Sequence, residues 1–176
     1  RKQFLTIIMI IGLLESGISQ SSVFILVDVS GSGPKDSAVR NQARNIVRDF
    51  CTGQYQSSEY DAAWKWAGTV DPVIEAIKQG RGKALLDPTL DGYLVIMPFG
   101  EKNTYLDYKI EKLSTIPGQA DKFITQHFPQ IYKDQLTYAP IARAKAASIA
   151  KGPQVNIASY YLIEISDELP DTDSQI

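Results

Sequence analysis

The chain switches between two periods of hydrophobic and polar positions. Val23 to Val27, VFILV, is continuously apolar and rich in β-branched residues, the pattern of a strand buried on both faces of a parallel sheet. It ends at Asp28 in the run Asp28-Val29-Ser30-Gly31-Ser32-Gly33-Pro34, where two glycines and a proline predict a loop and Pro34 opens the next helix. From Lys35 to Phe50 the period becomes helical: Val39, Ala43, Ile46, Val47 and Phe50 fall three and four apart and make one stripe to lie on the sheet. Cys51, one turn beyond Val47, is expected to pack as a small hydrophobe at the end of that helix.

Between Gly53 and Gly92 the pattern is less regular, with a short helix expected over Pro72 to Lys78 and a break at Gly80-Arg81-Gly82; residues 53–92 read as an insert on the core fold. The strand pattern returns at Tyr93 to Phe99. After the turn Gly100-Glu101-Lys102-Asn103, the mixed run Thr104 to Leu113 predicts the second arm of a hairpin at a solvated edge. A helix is expected from Gln119 to His127, stopped by Pro129, and another from Pro140 to Lys151, rich in alanine. The apolar run Ile157 to Ile165 closes the pattern as a strand that leads into Ser166 and Asp167. Strands alternating with helices predict an α/β fold: a doubly wound, Rossmann-like, mostly parallel sheet with one antiparallel edge strand and helices on both faces.

The N-terminus changes this picture. Arg1 and Lys2 precede a mostly apolar run, Phe4 to Leu14, followed by Glu15, Ser16 and Gly17, with Gly17 and Ser19 placed as the small residues of a cleavage site before Gln20. Eleven helical residues span about 17 Å, short of the roughly 30 Å hydrocarbon core, so an export signal over residues 1–19 reads better than a membrane span. The alternative is a buried strand or helix of the domain. Export would put the chain in the periplasm, at the cell surface or outside the cell, with membrane contact only through export or an anchor lying elsewhere.

Composition mostly excludes. A chain of 176 residues, 44% hydrophobic and 22% charged, suits one globular domain rather than a disordered segment. Its net charge of -2, or -3 once residues 1–19 are set aside, and its scattered basic residues argue against a nucleic-acid partner. One Cys and one His cannot build a zinc site or a disulfide framework within the chain, so a bound metal must take hard oxygen ligands. His127, beside Phe128, suits a surface or packing role, and Trp64 and Trp66, two apart, cannot share one helical face.

Oxygen donors collect at two strand ends: Asp28, Ser30 and Ser32 after the first strand, and Asp167 after the last. Loops beyond the carboxyl ends of strands are where open α/β sheets place their sites. Here the sequence resembles the von Willebrand factor type A domain, whose metal-ion-dependent adhesion site opens with Asp-x-Ser-x-Ser, matched by Asp28-Val29-Ser30-Gly31-Ser32. The family's Thr, ahead of a small-residue helix, is matched by Thr137 in Leu136-Thr137-Tyr138-Ala139-Pro140, and its later Asp by Asp167. The likeness runs from about Val23 to Asp171 in order and spacing.

That resemblance implies a site for Mg2+, or Mn2+ or Ca2+, with Ser30 and Ser32 as direct ligands. Thr137, Asp28 and Asp167 would act directly or through water. It also implies a binding module rather than an enzyme, its open metal position filled by a carboxylate of a protein partner in adhesion or assembly. The chain departs from the family in three places. The Thr loop lacks the common Gly-rich lead, and Thr125, inside a predicted helix, is a poor substitute. Glu168 stands where Gly is common. The family fold continues beyond the elements seen up to Ile176, which makes this an expected fragment of an exported bacterial protein. Other readings are a dehalogenase-like, magnesium-dependent phosphohydrolase, which calls for Asp-x-Asp where this chain has Ser30, and a structural surface domain with a non-functional metal site. A capped turn is the plain alternative for Asp28, Ser30 and Ser32.

Overall fold

The computed structural model describes residues 6–11, 22–30, 37–52, 86, 91–101, 103–116, 118–130, 139–157 and 160–166. In chain order the elements are β1 (Thr6–Ile11), β2 (Val23–Asp28), α1 (Ser37–Thr52), β3 (Tyr93–Phe99), β4 (Lys109–Lys112), α2 (Ala120–His127), α3 (Ala139–Lys151) and β5 (Tyr161–Ser166). The sheet order is β1-β5-β2-β3-β4. Strand β2 pairs parallel with β3 on one side and β5 on the other, while β4 runs antiparallel to β3 at one edge. Four strands are thus mostly parallel with a single antiparallel pair, as the sequence pattern predicts.

The fifth strand corrects the expectation of one antiparallel edge. Thr6 to Ile11, within the apolar run expected to be an export signal, lies antiparallel to β5 with Ile8 opposite Glu164 and Ile11 opposite Tyr161, so the sheet has antiparallel strands at both edges. An apolar run satisfies an export signal and a strand equally well, and Thr6–Ile11 is paired here as a strand.

Alternation of side chains across the sheet sorts the core into two clusters. On one face Val23, Ile25, Val27, Leu94, Ile96, Ile163 and Ile165 meet Ala43, Ile46, Val47 and Cys51 of α1 and Ile124 of α2. On the other, Phe24, Leu26, Val95, Met97 and Leu162 meet Ala142, Ala146 and Ala150 of α3. Every side chain of β2 is buried, which explains its unbroken apolar run: it has no solvent face on which a polar residue would be favoured. Burial of each large aliphatic side chain here contributes about 1.5–3 kcal/mol. Cys51 is fully buried, and that burial pushes its thiol up, out of the reactive range.

Three boundaries differ from the sequence pattern. The run Thr104 to Leu113 is strand only over Lys109–Lys112; Thr104–Asp107 winds into a 3-10 turn entered through Asn103, whose φ of 82° suits an amide side chain better than a β-branched one. The last strand begins at Tyr161 rather than Ile157, because residues 152–157 turn the chain back, with Ile157 N–H donating to the Ala150 carbonyl at 2.9 Å. Helix α1 starts at Ser37 and reaches Thr52. The expected helix Pro72 to Lys78 and the two tryptophans lie outside the described residues. His127 packs on Phe123 at 4.6 Å between ring centroids, the packing role expected of it.

Candidate metal centre

Strand β2 carries Asp28 at its carboxyl end. The ladder persists one residue further, since Val29 N–H donates to the Phe99 carbonyl at 2.8 Å, and this holds the departing chain against β3. The chain then folds back on Asp28: Ser30 N–H donates to Asp28 Oδ1 at 2.8 Å, an Asx-type turn. From the neighbouring strand Ser166 Oγ–H donates to Asp28 Oδ2, also at 2.8 Å. Parallel pairing of β2 with β5, with Val27 opposite Ile165, brings Asp28 and Ser166 to the same rung.

Asp28 and Ser30 are each 1% exposed and Ser166 is 4% exposed. A buried carboxylate is costly unless its oxygens are satisfied. Here one donor serves each oxygen, and each oxygen retains a lone pair, since a carboxylate has about four acceptor positions. Among the described residues no basic side chain pairs with Asp28.

Two of the five predicted ligands, Asp28 and Ser30, therefore sit together at the carboxyl end of the central strand. Ser32, Thr137 and Asp167 lie outside the described residues. Their neighbours in the chain are described: Ser166 immediately precedes Asp167, and Thr137 is two residues ahead of the first residue of α3. Helix α3 leads into β5 through the turn at residues 152–157 and so runs back along it, which directs its first residues toward the end of the sheet that holds Asp28. Thr125, a poor substitute on account of its expected helical position, lies within α2.

The chemistry of this donor set fits a hard cation: a carboxylate and hydroxyls, with no sulfur or imidazole. No group of three or more His, Cys, Asp and Glu side chains converges among the described residues.

The same face of β5 holds a second buried acid that sequence reasoning missed. Glu164 is 2% exposed and receives a fork from α3: Arg143 Nε donates to Oε2 at 2.7 Å and Nη2 to Oε1 at 2.8 Å. These bonds hold the Arg143 guanidinium above its ordinary range, against the opposing effect of burial. A usable signal was the acid inside the apolar run Tyr161-Leu162-Ile163-Glu164-Ile165, because a charge on a buried strand needs a partner. Ser166 carried a weaker one: it shares the parity of Leu162 and Glu164, hence their face.

The chain matches no known family model, no characterised protein and no solved structure. The fold and the geometry around Asp28 are therefore the grounds on which a function can be assigned. No helix among the described residues is long and apolar enough to cross a membrane.

Proposed function

We propose that this chain is a von Willebrand factor A-like domain, doubly wound in the Rossmann manner, that binds a protein partner through a divalent cation. Asp28, Ser30, Ser32, Thr137 and Asp167 form its metal centre. The observation that carries the reading is the state of Asp28: a buried carboxylate at the end of the central strand, oriented by Ser30 N–H and Ser166 Oγ, with no basic partner among the described residues. Parallel pairing of β2 and β5 supports it, since Asp28 and the residue next to Asp167 then emerge at one sheet end.

The cation would be Mg2+, or Mn2+ or Ca2+. When bound, it would supply a positive centre with an open coordination position to which a carboxylate of the partner attaches. The chain's own residues orient the donors and exclude water from one side of the site. The domain is a binding module rather than an enzyme in this reading, displayed after export. Its N-terminal run either leaves as residues 1–19 or stays as β1.

Thermal unfolding with rising Mg2+ or Mn2+ tests the metal reading. A cation at 100 times its dissociation constant stabilises a single-site protein by about 2.7 kcal/mol, a readily measured rise in Tm. Asp28→Ala combined with Ser30→Ala should abolish that rise. No metal response from the folded wild-type chain sinks the proposal, and Asp28-dependent turnover of a phosphate ester would move it to the phosphohydrolase class. N-terminal sequencing of the protein from a secreting host tests export: a chain starting at Gln20 supports it, and one that retains Thr6 assigns the segment to the sheet.

A further inference from the structure

Helix α3 meets the sheet through Ala142, Ala146 and Ala150, four residues apart and all buried. Such a face allows close approach but offers little interlock, because methyl groups do not fix a helix against sliding or rolling as a large side chain in a matching pocket does. Ile149 also packs on this cluster and Lys145 Nζ lies 5.9 Å from the Tyr108 ring centroid, but the contact with a fixed direction is the planar two-bond fork of Arg143 on Glu164. A pair of this kind, with Glu164 buried and Arg143 about one-third exposed, adds little stability over an apolar pair of similar volume, and its best-attested use is to set register.

The position of the fork matters. Glu164 and Ser166 project to one face of β5, two residues or about 7 Å apart along the strand, and Ser166 holds Asp28. Arg143 stands five residues into α3, so the fork pins the first turn of the helix, just after the segment that contains Thr137.

We propose that Arg143 is a positioning residue, whose fork on Glu164 sets the register of the first turn of α3 against the Asp28 centre and thereby sets the cation affinity of that centre. The affinity arm rests on the metal reading of Asp28; the register arm does not. The test compares the full wild-type chain with Arg143→Met/Glu164→Leu, which replaces the pair by apolar residues, and with Arg143→Lys, which keeps the charge and loses the fork. Three measurements are made: the urea midpoint in chelator, amide hydrogen exchange across residues 143–147, the first amides with carbonyl partners inside α3, and Mn2+ affinity by calorimetry.

The double variant should unfold at or above the wild-type midpoint, exchange faster across residues 143–147, and bind Mn2+ about tenfold more weakly, the lower end of the loss seen when a group that supports a ligand is removed. Arg143→Lys should show the same two changes in smaller degree, and it carries the comparison if the double variant fails to fold. Wild-type exchange and wild-type affinity in a folded variant overturn the proposal. Absence of Mn2+ binding by the wild type overturns the metal reading and the affinity arm with it, while unchanged exchange overturns the register itself.

Discussion

Asp28 and Glu164 are buried to the same degree, face the same side of the sheet and lie on adjacent parallel strands, yet they are satisfied in opposite ways. Glu164 has a full countercharge, the Arg143 guanidinium, at 2.7 and 2.8 Å. Asp28 has an amide and a hydroxyl, neutral donors that orient a carboxylate without cancelling its charge. On the proposed reading, the difference separates an acid that holds structure together from one that is prepared for a cation. Depth of burial does not distinguish them; the charge of the donors does.

The comparison can be broken most forcefully at Glu164. Arg143→Ala leaves that acid buried without its partner, and the expected loss in urea unfolding is about 3–5 kcal/mol. A loss below about 1 kcal/mol, the scale of an exposed ion pair, would show that Glu164 reaches water or is held by other groups. Removing one donor from the other acid is milder: Ser166→Ala should cost about 1 kcal/mol in chelator, the net worth of one hydrogen bond, and should weaken the Mg2+-dependent rise in Tm. An unchanged metal response would separate Ser166 from the site. The smallest effect belongs to the exposed pair Lys112–Asp91, 2.7 Å apart. The hydrogen bond from Lys112 holds the Asp91 carboxyl below its ordinary range, so any stabilisation is present at neutral pH and lost as the pH falls through that lowered value. With both groups in solvent, Asp91→Asn should leave the urea midpoint unchanged within error at neutral pH, and a resolvable fall would mean that charge alone does not explain Glu164's importance.

Much of the fold is legible in the sequence because period and burial agree. An all-apolar run at Val23 to Val27 can only be a strand covered on both sides or a buried helix, and its five-residue length together with the glycines after Asp28 decides for the strand. The alanines of α3 likewise announce close packing. Residues 104 to 108 read as strand and are not, because a mixed polar pattern does not distinguish an edge strand from a 3-10 turn. The N-terminal run is ambiguous for a different reason: pairing with β5 joins opposite ends of the chain, Thr6 with Ser166, and leaves no local trace.

Of the site, Asp28 and Ser30 are visible through spacing within a loop. Ser166 and the Arg143–Glu164 fork are not, since a contact across 138 or 21 residues has no periodic signature. The turn itself is instructive. Asp28 engages the amide of Ser30 rather than its hydroxyl, so the Asx turn by itself requires no particular side chain at position 30. The metal reading does require one, an oxygen donor.

The alanine face of α3 also limits how this sequence can drift. At positions 142, 146 and 150 a residue must stay small together with its two companions, because a larger side chain at one of them lifts the helix along its length. Arg143, reaching across that gap to a fixed acid, would lose its geometry before the apolar contacts failed. On the proposed reading, enlarging changes at these alanines would therefore be tolerated by the fold sooner than by the metal centre, and variants that stay folded while losing cation affinity should concentrate there.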